Sequence, residues 1–159
     1  MSDPRVKKLA QVMVHYSLGI KRGQKVYLQT SPAGQEFNLA FYEEAIKAGA
    51  SVVTVMMDMP GADEVFFKYA SNQQLDFVSP VRELVHTTYD ARMVVEAETN
   101  TRALAGVDPK RIARVRKASA PLFQKMLKRI ESKELKWCVT VYPTDAMAQE
   151  ANMSLSDYA

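Results

Sequence analysis

An open, mainly parallel α/β sheet of about four strands, flanked by helices and preceded by an amino-terminal helix, is the fold class predicted by this 159-residue sequence. Three observations carry the prediction. Four short runs rich in β-branched and apolar residues recur along the chain, at 25–30, 51–57, 91–97 and 135–142. Segments with apolar residues at helical spacing separate them, and strands that alternate with helices assemble into parallel sheets. The composition is that of one globular domain, 47% hydrophobic and 25% charged with six Gly and seven Pro, which excludes collagen, a long coiled coil and intrinsic disorder.

The elements follow in order. Asp3-Pro4 suits the cap and first position of a helix over 5–18, whose stripe runs through Val6, Leu9, Val12, Met13 and Tyr16. The first strand, 25–30, is closed by Ser31-Pro32. A second helix over 36–48 repeats Phe37, Ala40, Phe41, Ala45 and Ala48, and Gly49 stands where a helix end needs positive φ. The run 51–57 is nearly continuous in apolar β-branched residues and predicts a strand buried on both faces. Short helices over 63–69, 72–77 and 80–88 are anchored by Phe66, Phe67, Leu75, Leu84 and Val85, and 91–97 is the third strand. Asp108-Pro109 opens the longest helix, in which Ile112, Val115, Leu122, Phe123, Met126, Leu127 and Ile130 keep one phase across Pro121, predicting a single kinked helix. The fourth strand, 135–142, ends at Pro143, and Thr144 caps a short helix to Ala151. The domain is read as 1–153, with 154–159 the start of a following helix or linker.

Composition also bounds function. One cysteine, Cys138, excludes a disulfide framework and any metal site built on several thiolates, and His15 and His86 stand in no ligand spacing. Cys138, between Trp137 and Val139, reads as a buried, inert thiol. No apolar run is long enough for a membrane helix, and the amino terminus is no secretory signal, so a soluble, cytoplasmic protein is expected. The longest helix is basic, with Lys110, Arg111, Arg114, Arg116, Lys117, Lys125, Lys128 and Arg129. The chain as a whole sets 21 basic against 18 acidic residues, so these read as a solvated or partner-facing surface and not as a nucleic-acid site.

In an open parallel sheet ligands bind beyond the carboxyl ends of the strands, here the loops 30–35, 58–62, 96–107 and 142–145. The first has one glycine, Gly34, without the paired glycines or the lysine of a phosphate loop. The third is the densest in polar groups: Glu98, Asn100 and Arg102 offer a carboxylate, an amide and a guanidinium, and with Tyr142 and Thr144 they are the candidate cleft residues. The alternative for the loop is local satisfaction of backbone groups by Asn and Thr, and for Thr144 a helix cap.

Several stretches together resemble a known family. They are Asp3-Pro4-Arg5-Val6-Lys7-Lys8-Leu9-Ala10 with Tyr16-Ser17-Leu18-Gly19, then Glu43-Glu44-Ala45-Ile46-Lys47-Ala48-Gly49-Ala50, and Asn100-Thr101-Arg102-Ala103-Leu104-Ala105-Gly106-Val107-Asp108-Pro109. Tyr142-Pro143-Thr144 and Ala148-Gln149-Glu150-Ala151 with Met153-Ser154-Leu155 continue the match. The whole chain is similar to the amino-terminal domain of the aminopeptidase T and aminopeptidase S family of thermophilic-type metalloaminopeptidases. The resemblance implies a parent that removes amino-terminal residues from peptides with two divalent metal ions, such as zinc or cobalt, and forms homodimers. The family's metal ligands lie in a carboxyl-terminal domain, so no catalytic or metal-binding residue carries over to these positions. The expectation is an inactive domain that serves as cleft wall, substrate gate or dimer contact, with a stand-alone α/β binding module as the alternative.

Overall fold

The computed structural model describes residues 3–159. Its four strands, β1 (Lys25–Thr30), β2 (Val52–Met57), β3 (Ala91–Glu96) and β4 (Lys136–Val141), form one parallel sheet in the order β2-β1-β3-β4. The helices are α1 (Pro4–Gln11), α2 (Gln35–Lys47), α3 (Ala62–Tyr69), α4 (Asn72–Asp76), α5 (Pro80–Thr88), α6 (Pro109–Glu131), α7 (Asp145–Glu150) and α8 (Leu155–Tyr158). The open α/β architecture is the expected one.

Register divides the side chains between two faces. Val26 and Leu28 of β1 pair with Val53 and Val55 of β2 and with Ala91 and Met93 of β3, and this face packs on α1 and α2. Phe37, Phe41, Val14, Leu18 and Met93 are closed to solvent there. The other face carries Tyr27 and Arg92, and Arg92 meets Met126 Sδ of α6 at 3.9 Å. Leu75, Val85, Leu122 and Met126, from α4, α5 and α6, are buried.

The local signals hold at most helix ends. The Asp3 carboxylate accepts from Arg5 N at 2.8 Å, Asp108 from Lys110 N at 2.9 Å, and Thr144 from Met147 N at 3.3 Å. Gly49 closes α2 at φ +88°, with Arg22 3.2 Å from where a Cβ would stand. α6 is one helix through Pro121.

Packing overturns several expectations, among them the burial of Cys138, which is only partly covered, and of Phe66 on α3, which is 39% exposed. The first helix is not a single α-helix: after Gln11 it widens into a π-helical turn over Val12–Ser17, with Leu18 N donating to Met13 O five residues back. Ala10 is buried ahead of this turn, and the extra residue rotates the stripe beyond it, so Val14 and Leu18 are buried and Tyr16 faces solvent. β2 is not buried on both faces, because as an edge strand it has a neighbour on one side only, and Val52, Val55 and Met57 are exposed. On α6, Leu122 and Met126 are buried while Phe123 and Leu127 lie to one side and stay exposed. On α5, Val85 is buried and Leu84 points outward.

His86 is 7% exposed, and its Nδ1 has no partner among the described residues. Burial, with Arg92 and Arg82 nearby, lowers its pKa to about 4. An unfolded histidine titrates near ~6.5, so between these values the unfolded chain holds a proton that the native chain refuses. Stability is therefore complete above pH ~6.5 and falls as pH drops toward ~4, by about 2 kcal/mol after allowance for solvent screening. Urea unfolding across this range at constant ionic strength measures the slope, and His86→Phe is expected to flatten it. Parallel curves for the two proteins would show that His86 is not the titrating group.

Candidate functional site

The strand order places the topological switch between β1 and β3, the position where doubly wound sheets take ligands. Here that position is knitted shut. Ser31 Oγ donates to Ala97 O at 2.9 Å, Thr30 Oγ1 to Asn38 Oδ1 at 2.7 Å, and Asn38 Nδ2 to Ser31 O at 3.2 Å. Gly34 lies so close to β3 that a Cβ would stand 3.3 Å from Val95 Cγ1. This glycine serves packing, and the polar side chains around it are spent on one another.

The open space lies further along the carboxyl edge, between the loop after β3 and α7. A cavity of about 600 Å³ is lined by Thr99, Asn100, Thr101, Arg102, Ala146, Gln149, Glu150 and Asn152. Two local devices shape its loop wall. Asn100 Oδ1 accepts from Arg102 N at 3.0 Å, an Asx turn that aims the next side chains outward. Glu150 Oε1 then takes Thr101 Oγ1 at 2.9 Å and Arg102 Nε at 3.1 Å, tying the loop to α7. Those two hydrogen bonds hold the Glu150 carboxyl below its ordinary pKa. The Arg102 side chain remains 79% exposed. The cavity therefore offers amide and guanidinium donors beside one ionised carboxylate.

The five candidate residues separate in space. Asn100 and Arg102 line the cavity. Glu98 is exposed, and its backbone carbonyl accepts from the Thr144 hydroxyl, which also caps α7. Thr144 thereby joins the loop after β3 to the helix after β4, holding the cavity's two walls in place. Tyr142 turns to α2, where its hydroxyl donates to Glu36 Oε2 at 3.2 Å, and burial with this carboxylate raises its pKa. The same Glu36 receives Asp3 N at 2.7 Å, so Tyr142 helps latch β4 and α2 to the amino terminus.

The sequence reading missed the α7 wall. Gln149, Glu150 and Asn152 drew no attention as cleft residues, because nothing in their spacing marks them. The available signal was topological: the loops after β3 and β4 must lie side by side if those strands pair. A second cavity of about 430 Å³ lies between α3 and the start of α6, lined by Glu64, Phe67, Lys68, Ala103, Gly106, Val107, Asp108 and Arg111. Among the described residues no three His, Cys, Asp or Glu side chains converge as a metal site would require, so these positions do not fit a two-metal centre. No helix of the described residues is long and apolar enough to cross a membrane.

The basic face of α6 is partly structural. Arg111 reaches the carbonyls of Phe67 and Ala70 at the end of α3. Arg114 pairs with Asp76 at 2.6 Å, Lys125 with Glu83 at 3.0 Å, and Arg129 donates to His86 O at 3.0 Å. Four of the eight cations thus pin α6 to the three short helices.

Comparison with known proteins agrees with this architecture. Residues 2–159 match the family model described as thermophilic metalloprotease (M29). Among solved structures, wild-type AmpT from Thermus thermophilus superposes with a TM-score of 0.72 at 23% sequence identity, over 89% of this chain and 36% of that one. At that identity the likeness shows the fold, and the present chain spans little more than a third of that protein. No curated protein matches the chain.

Proposed function

Since this chain belongs to the thermophilic metalloprotease (M29) family, we propose that it is the amino-terminal domain of a cytoplasmic, metal-dependent aminopeptidase, inactive by itself, that walls the peptide cleft and takes part in a homodimer. The observation that carries the reading is the polar cavity at the carboxyl edge of the sheet, in a chain whose described residues assemble no metal-ligand cluster. A hydrolytic centre with two divalent ions needs several carboxylates or imidazoles converging within a few ångströms. In this reading those ligands, whether they hold zinc or cobalt, lie outside the present 159 residues.

What these residues contribute is orientation. Asn100, Gln149 and Asn152 can hydrogen-bond the amides of an extended peptide, and the Arg102 guanidinium, held through Nε alone, keeps its two Nη groups for a peptide carbonyl or carboxylate. Glu98 stands beside them on the same loop. Such contacts position a substrate near chemistry performed elsewhere.

Two experiments test this. The purified chain supplied with zinc or cobalt is expected to release no amino acids from peptides; chelator-sensitive release would place a catalytic centre within it and end the domain reading. In a complete enzyme that contains this domain, Asn100→Ala with Arg102→Ala is expected to raise KM or lower kcat about tenfold to a hundredfold with unchanged thermal stability, the scale of one or two lost charge-assisted hydrogen bonds. Unchanged kinetics would leave the loop a purely structural one.

A further inference from the structure

Each helix bordering the second cavity carries a carboxylate and a cation at a spacing that ordinarily lets them pair. Glu64 and Lys68 stand at i, i+4 on α3, and Asp108 and Arg111 at i, i+3 at the start of α6. Among the described residues neither pair closes into an ion pair. The cations are drawn elsewhere. Lys68 Nζ lies 5.4 Å from the centroid of the Tyr69 ring, a contact that leaves its charge unneutralised, and Arg111 spends Nε and Nη2 on the carbonyls of Phe67 and Ala70. Asp108 gives Oδ1 to Lys110 N and keeps Oδ2, while the Glu64 carboxylate is exposed and has no hydrogen bond among the described residues. Two carboxylates and two cations with donors to spare, Lys68 Nζ and Arg111 Nη1, therefore border one cavity. The lining between them is apolar. Phe67 and Val107 are partly buried, and Gly106 leaves open space where a side chain would stand.

We propose that this cavity binds a free α-amino acid with an apolar side chain, its ammonium held by Asp108 and Glu64, its carboxylate by Arg111 Nη1 and Lys68, and its side chain against Phe67 and Val107. The charges select a zwitterion. A simple cation would sit beside Lys68 and Arg111, a simple anion beside two carboxylates, and a neutral apolar molecule would strip water from four charges and return nothing. An α-amino acid sets both charges on one carbon next to its side chain, and so answers both kinds of group at once. A peptide separates its end charges by roughly 3.3 Å or more per residue, which leaves one of them outside the groove. The volume, about 430 Å³, lies within the ~300–1,000 Å³ of small-ligand sites.

The loop after β3 walls both cavities, with residues 99–102 on the first and 103–108 on the second. The amino-acid site is thus a neighbour of the peptide-facing cavity and shares no lining residue with it. Its assignment goes beyond the function proposed above and does not depend on it.

Titration of the 159-residue chain with L-phenylalanine, followed by amide chemical shifts in NMR, tests it. Saturable shifts are expected at Phe67, Val107 and Arg111, with a Kd on the order of 1 mM, the affinity of a ligand with about a dozen non-hydrogen atoms. N-acetyl-L-phenylalanine, which lacks the ammonium, and L-phenylalaninamide, which lacks the carboxylate, are each expected to bind at least about tenfold more weakly, the loss of one charge-assisted contact. Asp108→Asn removes the charge but keeps a side chain that caps a helix equally well, and is expected to raise the Kd about tenfold with folding intact. Glu64→Gln, at an exposed position, is expected to act in the same direction and decides the matter should Asp108→Asn disturb α6. Absence of any saturable shift, equal binding of the two blocked analogues, wild-type affinity in both variants, or shifts confined to Asn100 and Arg102 would each overturn the assignment. The readout is binding and not turnover, so its failure is visible separately from that of the Asn100 and Arg102 kinetics.

Discussion

Phe41→Ala is expected to lower the stability of this domain by about 3–5 kcal/mol, with a fall in Tm of roughly 10 °C. Phe41 has no solvent exposure, and its ring lies 6.1 Å from that of Phe37 on the helix that covers β1. Truncation forfeits the transfer energy of a whole ring and leaves a cavity that the surrounding strand and helix cannot fill, because β1 is fixed by neighbours on both sides. For a domain whose total stability is of order 5–15 kcal/mol this is a large share. Leu39→Ala, two residues away on the opposite side of the helix and 64% exposed, supplies the control and is expected to cost under about 1 kcal/mol. Urea denaturation of both variants measures the difference. Equal, small losses would mean that the α2 face assigned to the core is not packed as described.

Arg111→Met is expected to destabilise the chain by about 3 kcal/mol, although a sequence reading treats Arg111 as one of eight surface cations. Its guanidinium donates to the carbonyls of Phe67 and Ala70, so a residue of α6 terminates α3. Methionine keeps the stem's volume and removes every donor, leaving partly buried carbonyls without a partner. Arg111→Lys keeps the charge but cannot serve both oxygens at once, and about half the loss is expected to remain. Lys110→Met, at the exposed neighbouring position, is expected to change stability by less than about 0.5 kcal/mol. A lowered urea midpoint at constant m for Arg111→Met, and not for Lys110→Met, is the expected pattern. Identical midpoints would return Arg111 to the solvated surface.

Arg111 also shows where legibility ends. The sequence places it on a basic helical face, and nothing in the sequence says that the end of α3 lies within reach. The same holds for Arg114 and Asp76, whose hydrogen bonds draw the aspartate's pKa down, and for Arg129 and the carbonyl of His86. Caps behave differently. Asp3, Asp108 and Thr144 act on backbone groups two or three residues away, so their chemistry is readable without knowing the fold. The candidate site divides along the same line. Asn100 and Arg102 are candidates on the sequence alone because a polar loop at a strand end is a local feature, whereas Gln149, Glu150 and Asn152 line the same cavity only because β4 pairs with β3.

By itself the sequence determined which segments are strands and which are helices, that the strands run parallel, and where the helices begin. Each of these is a consequence of side-chain periodicity, capping or chain connectivity over a few residues. Only the tertiary structure decided that β1 and β3 are central and β2 and β4 are edges, that the π-helical turn rotates Val14 and Leu18 into the core, and that Ser31 and Ala97 close the switch point. The physical reason is that a side chain's pattern records which way it faces along its own element. What it then meets is set by an element distant in the chain, and β2, an edge strand in which only Val53 is buried although its apolar run predicts burial on both faces, is the plainest case.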